Sequence, residues 1–261
     1  MSYNRIVFTP KSVSTGLNLL VDSLRATGTP VLKTKLSRSS YRQLGTDLVI
    51  NWGNSQAVVE PILNTRGCVE LCSNKKSFLE YLNGAWFSNI PVFYCSRPAT
   101  TTHNFNSGNL YCRTIVSGSE GRGIVVAHCI DEVVDAQLYT VEVEYTREVR
   151  LHIFNGKVIS FQQKKKKSSE RRTQDNEGEV NLEVRNSNTG WVFARDGVTI
   201  PDRAVEVALR CCSILGVDLC AVDMLLGYGD PVVLEVNTAP GMEGTTVEHY
   251  RDAIIELINQ Q

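Results

Sequence analysis

Hydrophobic and polar positions along the chain divide it into segments of different period. Arg5–Thr9 is a short continuous apolar run, which reads as a strand. Leu17, Leu20, Val21 and Leu24 then recur at helical spacing until Gly28 ends the pattern. Pro30–Thr34 and Asp47–Trp52 read as two further buried strands. Residues 1–72 therefore form a small open α/β domain whose second half is polar and loop-rich.

A second unit spans 73–136. Asn74 is placed to cap a helix carrying Phe78, Leu79 and Leu82, closed by Gly84, and Pro91–Cys95 follows as a strand. Leu110–Val116 and Ile124–His128 are strands on either side of the glycine-rich turn SGSEGRG. The third unit, 137–261, opens with strands at Leu138–Glu144, Glu148–Phe154 and Lys157–Gln163, the last two joined by the hairpin pair Asn155-Gly156. Lys164–Glu179 is almost wholly polar and reads as a mobile loop, and Val180–Arg185 and Trp191–Ala194 as strand-like sequence. A helix after Pro201 aligns Ala204, Ala208, Cys211, Cys212 and Leu215 before Gly216. Thr245 and Glu248 have capping-box spacing ahead of a last helix with Val247, Tyr250, Ile254, Leu257 and Ile258 inward.

Between those helices lie two strongly apolar runs, Leu219–Leu226 and Val232–Asn237, separated by the turn sequence GYGDP. Pairing Leu226 with Val232 puts Asp223 directly opposite Glu235 and Ala221 opposite Asn237. Like charges facing each other across two apolar strands repel, so they need a cation. Three oxygen donors at Asp223, Glu235 and Asn237 suit a hard ion such as Mg²⁺ or Mn²⁺. The bland alternative gives each carboxylate its own Arg or Lys partner.

Composition narrows the setting. A formal charge of -1 and 42% hydrophobic residues suit an ordinary globular protein and argue against bulk electrostatic binding to nucleic acid. No apolar run approaches the ~20 residues needed to span a bilayer, and the N-terminus carries no secretory pattern, so a cytoplasmic location is expected (a host's cytoplasm for a viral source). The eight cysteines contain no Cys-x-x-Cys pair and read as reduced core thiols. The run Lys164–Lys167 with Arg171 and Arg172 lacks interleaved aromatics; a solvated loop is its first reading, a substrate lid the second and a nucleic-acid patch the last.

LGVDLCAVDMLL followed by PVVLEVNTAPGMEGTT resembles the C-terminal signature of the ATP-grasp superfamily. Asn74-Lys75, SGSEGRGIVVA, TREVRLHIFNGKVI and the Arg185-Asn186…Gly190-Trp191 segment are similar to further family motifs, so the likeness runs from about 74 to 250. It implies an α+β ATP-grasp fold in which two subdomains grip ATP between antiparallel sheets, behind the N-terminal α/β domain. It also implies that Asp223, Glu235 and Asn237 hold the Mg²⁺ of Mg-ATP. Lys75, Ser119, Glu120, Gly121, Arg122 and Gly123 would bind the nucleotide phosphates. Tyr139–Val143 would be the hinge along the adenine edge, with Glu142, Val143, Glu144 and Glu148 as ribose or adenine contacts between which the sequence does not choose. Arg113 stands where the family usually carries a lysine, which keeps the charge and changes its geometry.

The reaction that the resemblance implies is ATP-dependent ligation of a carboxylate to an amine through an acyl phosphate, with Arg150 and Arg185 stabilising developing charge. The substrates would be small-molecule or peptide acids and amines; the oligomeric state stays open, a homodimer being one option. A kinase on the same fold and a catalytically silent ATP-binding module are the competing readings.

Overall fold

The computed structural model describes residues 3–12, 14–34, 41–56, 61–118, 121–175 and 178–260. At the N-terminal end, β1 (Arg5–Pro10) lies between β2 (Val31–Lys33) and β3 (Asp47–Trp52), parallel to both. The helix α1 (Thr15–Ala26) makes the crossover from β1 to β2, capped by Ser14, whose hydroxyl accepts from the Leu17 N–H. Its inner face is the predicted one: Leu17, Leu20, Val21 and Leu24 are all fully buried. Asp47, buried at the start of β3, accepts both guanidinium bonds of Arg5, at 2.9 and 2.8 Å, and bonds from Tyr41 and the Leu44 N–H. Burial opposes its ionisation, but these donors hold its carboxyl down at about 2.

The loop-rich stretch expected before residue 72 contains a helix, α2 (Arg66–Ser73), capped by Thr65. Its apolar residues, Cys68 and Val69 buried with Leu71 and Cys72 partly so, fall within five positions, too short a run to show a period. The next helix, α3 (Lys75–Gly84), starts where expected, because the Asn74 side chain accepts from both Lys76 N and Ser77 N at 3.1 Å.

Two antiparallel sheets follow. The smaller orders β4 (Phe93–Tyr94), β7 (Leu138–Val141), β5 (Leu110–Arg113) and β6 (Ile124–Ala127) as β4–β7–β5–β6. The larger comprises β8 (Arg147–Phe154), β9 (Lys157–Lys166), β10 (Trp191–Ala194), β11 (Leu219–Leu226) and β12 (Val232–Asn237), in the order β10–β9–β8–β11–β12. The helix α5 (Asp202–Leu215) packs on one face of this sheet, sharing a core of Ala204, Val207 and Cys211 with Leu151, Val222 and Val236. The last helix, α6 (Thr245–Asn259), packs on α1 instead; Tyr250 and Ile254 join Leu17, Ile50 and Trp52 in one apolar cluster with Leu219 of β11.

Three local expectations need correction. Lys164–Lys166 is no loop but the end of β9, paired with Trp191–Phe193 of β10, and a short helix α4 (Ser169–Gln174) follows. The alternation expected of a half-buried strand is hidden there because both faces of β9 carry polar residues. Val180–Arg185 forms no strand: the Asn181 side chain accepts from Glu183 N and Val184 N, a local turn that competes with sheet pairing. The capping box at Thr245 is absent; the N-cap of α6 is Gly244, without a side-chain cap bond.

Candidate active site

Sheet register builds the site. Asp223 pairs with Glu235 on one side and with Arg150 on the other, and Arg150 pairs with Gln162. The row Glu235–Asp223–Arg150–Gln162 therefore crosses four strands on one face, since directly paired residues point the same way. The adjacent row is Asn237–Ala221–His152–Ser160. Intervening residues such as Val222, Leu151 and Val149 point the other way, into the α5 core.

This register is the expected one at Asp223, Glu235 and Asn237 but not at the turn. The hairpin pairs Leu225, not Leu226, with Val232, and a bulge between Asp223 and Met224 takes up the extra residue. A second bulge lies between His152 and Ile153 in the β8–β9 hairpin. Its two-residue turn, with φ of 47° at Asn155 and 73° at Gly156, has the positive-φ pair of a type I′ turn. Extrapolated from that turn without the bulge, β9 would present its opposite face. With the bulge, Lys164 lands beside Glu148. One inserted residue reverses which side chains meet.

The electrostatics are those of a cationic cleft holding a few carboxylates. Arg150 donates to Asp223 through Nε at 2.6 Å and Nη2 at 2.7 Å, both groups largely buried. Lys75 forms an ion pair with Glu235, and Asn237 Nδ2 donates to Glu235 Oε1 at 2.9 Å. Lys164 pairs with Glu148, and its Nζ also donates to the Arg185 carbonyl at 3.1 Å. Each site carboxylate thus takes its own cation, and Glu148 and Arg150 do not pair with each other. The Arg150 guanidinium stacks 4.0 Å from the Phe193 ring, and Arg185 lies 4.4 Å from Trp191 and 4.7 Å from Tyr145. Arg113 reaches Glu235 by charge, without a hydrogen bond of its own among the described residues.

Burial and charge set the protonation states. Burial raises the Asp223 carboxyl despite Arg150 beside it. Burial also opposes ionisation of Glu235, but Lys75 and the Asn237 amide win and hold it well below the usual carboxylate range. For Arg150, burial is outweighed by Asp223, which binds its proton more firmly still. For Arg113 burial wins and pulls the guanidinium down. Lys75, Arg113, Arg150, Lys164 and Arg185 face Asp223, Glu235 and Glu148, so cations exceed carboxylates. The excess is complementary to a polyanion.

Gly121 and Gly123 sit at the end of β5 and β6 with φ of 72° and 73°, in the left-handed region. A Cβ on Gly121 would lie 2.4 Å from Val184 Cγ1, so the turn is packed against the segment leading to Arg185. Gly121→Ala is expected to cost about 1–2 kcal/mol, read from urea midpoints; adding Val184→Ala should relieve only the contact part. Ser119 and Glu120 lie outside the described residues. Arg122 is exposed. Glu142 accepts from the Asn109 backbone at 3.1 Å and its amide at 2.8 Å, and β7 stops at Val141, so Glu142 and Val143 lie just past the strand's end.

Several residues of this face escaped the sequence. Lys164 is hidden in its polar run and Phe193 belongs to no motif, whereas Trp191 stands in the Arg185-Asn186…Gly190-Trp191 segment, whose pattern does not predict the stacking on Arg185. Arg195 lies two residues past Phe193; its Nε and Nη2 are buried without a hydrogen-bond partner among the described residues, and burial lowers the pKa of its guanidinium. His152 is fully buried between Tyr250 OH at 3.2 Å and Gln162 Oε1 at 3.1 Å. Burial lowers its pKa to about 4. An unfolded chain binds that proton below about pH 6.5, so this residue contributes stability that is complete above 6.5 and lost as pH falls toward 4. Denaturant titrations should show a loss of about 2 kcal/mol from pH 7 to 4.5, absent in His152→Asn.

A parallel three-stranded unit followed by two antiparallel sheets, with side chains of the smaller reaching the carboxylates of the larger, is the ATP-grasp fold. D-alanine–D-alanine ligase from Bacillus anthracis superposes with a TM-score of 0.65 at 16% identity, over 98% of this chain and 97% of that one. The ATP-grasp ligase PsnB, solved with a minimal precursor, Mg and ADP, gives 0.66 at 13% identity, over 97% of each. Residues 115–260 match the RimK-like ATP-grasp domain, so the chain belongs to the RimK-like ATP-grasp family. A probable alpha-L-glutamate ligase of Serratia proteamaculans is 29% identical over 162 residues, 56% of this chain and 49% of that protein. The chain spans about half the length of the curated relatives it matches. Among the described residues no helix is long and apolar enough to cross a membrane.

Proposed function

We propose that the protein is an ATP-dependent carboxylate–amine ligase that works through an acyl phosphate. The observation that carries this reading is the row Glu235–Asp223–Arg150, two carboxylates in direct cross-strand register inside a cleft with surplus positive charge. The oxygen donor set of Asp223, Glu235 and Asn237 fits Mg²⁺, with Mn²⁺ as a substitute. Bound there with ATP, the ion would neutralise and orient the phosphates.

The protein's own groups supply the rest. Lys75, fixed at the first turn of α3 by the Asn74 cap, and Arg113 on β5 bring positive charge from the smaller sheet toward the phosphates. Arg150 uses Nε and Nη2 on Asp223 and has Nη1 without an acceptor among the described residues, available to the transferred phosphoryl group. Arg185, against the rings of Tyr145 and Trp191, would stabilise the tetrahedral intermediate. A substrate carboxylate oxygen attacks the γ-phosphorus as the bond to ADP breaks. An amine then attacks the acyl carbon, losing a proton as phosphate leaves. No protein nucleophile takes part, consistent with phosphoryl transfer governed by positioning and charge.

The relatives' names and the precursor peptide with which PsnB has also been solved make amino acids and peptides the substrate pools to test. The assay is ADP release with paired acid and amine pools, with product mass by mass spectrometry. A new amide, with the mass of acid plus amine minus water, is expected. A phosphorylated product would make the protein a kinase, and tight Mg-ATP binding without turnover in any pool would make it a silent module.

A further inference from the structure

Arg195 is a cation of the active-site face that has no anion. On that face Arg150, Lys75 and Lys164 each pair with a carboxylate, and Arg185 rests against two rings. Arg195 has neither an ion pair nor a hydrogen bond among the described residues. Its place follows from register. β10 ends with Ala194 opposite Gln163, so the next residue stands opposite Gln162, which pairs with Arg150. Arg195 therefore extends the row Glu235–Asp223–Arg150–Gln162 by one strand, on the side from which Phe193, two residues before it, stacks on Arg150. Burial lowers the pKa of His152, which lies on this face, and the charges of Arg150 and Arg195 add to that effect, so both guanidinium groups are near its ring.

The side chain is only partly enclosed. Nε and Nη2 are shut off from solvent, whereas Nη1, also without a partner, keeps accessible surface and is the group that a ligand can meet. A guanidinium drawn out of water with no opposing charge is unfavourable in the free protein. A ligand carboxylate at Nη1 would supply that charge through a charge-assisted bond. Spacing decides which anion this is. Strands lie about 4.8 Å apart, so Arg195 is three strands, about 14 Å, from the backbone of Asp223 and two, about 10 Å, from that of Arg150. Phosphates held at Asp223 and Glu235 therefore lie at the far end of the row. A group at Arg195 belongs to a part of the substrate beyond the carboxylate that reacts beside Arg150.

We propose that Arg195 is a specificity residue that binds a second carboxylate of the acid substrate, remote from the one that is phosphorylated. The assignment of the ligand as a substrate rests on the ligase reading; the preference for a dicarboxylate does not. The acid substrate is then a dicarboxylate.

The test is calorimetry of the full chain with Mg²⁺ and ADP present, titrated with glutarate and with its monoamide, glutaramate. Wild type should bind glutarate about tenfold or more tightly than the monoamide, and Arg195→Met should bind the two alike. Arg195→Lys, which keeps the charge and loses the planar fork, should retain part of the preference. A merely structural role would weaken both ligands together and spare their ratio. Arg195 makes no hydrogen bond, so Arg195→Met should keep the urea midpoint of wild type and its affinity for Mg-ADP. The proposal falls if glutarate does not bind wild type, if wild type binds the monoamide equally well, if Arg195→Met keeps the preference, or if that variant loses Mg-ADP instead. Turnover is read separately. No new amide from any pool would end the ligase reading and leave the glutarate preference standing, whereas turnover without that preference would end the Arg195 assignment alone.

Discussion

Glu235→Gln and Asp223→Asn should each lower ATP-dependent turnover by about a thousandfold. Both substitutions keep shape and remove one negative charge from the pair that faces across β11 and β12. If the pair existed only to hold Arg150 and Lys75, each change would act through one cation alone and leave the metal dependence of the reaction untouched. If the pair holds a divalent ion, both variants should need far more Mg²⁺ for the residual rate. Glu235→Gln is the cleaner of the two. The Glu235 side chain is about one-third exposed, so the chain should remain folded when Lys75 loses its partner. Initial rates against Mg²⁺ concentration decide the question: an unchanged Mg²⁺ requirement in both variants would remove the metal site from the proposal.

The parts of this site that were legible in the sequence are those fixed by strand alternation and by local capping. Asp223, Glu235 and Asn237 stand out because a carboxylate in an otherwise apolar run needs a reason, and two-residue spacing puts Glu235 and Asn237 on one face. Asn74 was legible because an amide before an apolar helical pattern has a mechanical role, which in turn places Lys75 at the helix start. The register at Asp223 was obtained from a turn pairing that the structure does not have, and the bulge after Asp223 absorbs the difference. A bulge is set by how strands twist against their neighbours, which no local pattern encodes. The same limit hid Lys164. Its partner Glu148 and its neighbour Phe193 are brought to it by β8 and β10, from 16 and 29 residues away in sequence. Helix α2 is hidden for a simpler reason, since its apolar residues, Cys68, Val69, Leu71 and Cys72, span little more than one turn and cannot fix a period.

Arg150→Met should destabilise the fold by about 3–5 kcal/mol, because it leaves the Asp223 carboxylate buried without its partner. The Asp223 side chain is only 6% exposed, and its two oxygens accept both bonds from Arg150. Burial already raises its carboxyl against the influence of Arg150, so removal of the guanidinium should raise it further and let the protein regain part of the loss by protonation at low pH. Lost stacking on Phe193 adds a smaller term, about 1 kcal/mol. The double variant Arg150→Met with Asp223→Leu separates cost from worth. A buried ion pair exchanged for apolar side chains of similar volume is about neutral, so the double variant should recover most of the stability lost by the single one. Activity should not recover, because both the proposed ligand and the proposed phosphoryl contact are gone. Urea midpoints for wild type, single and double variants, with ADP release from the same samples, measure the two effects together. A double variant as unstable as Arg150→Met would show that the row Glu235–Asp223–Arg150 is held for its structure. Stability regained without turnover would show that this costly arrangement of buried charge is kept for the chemistry it performs.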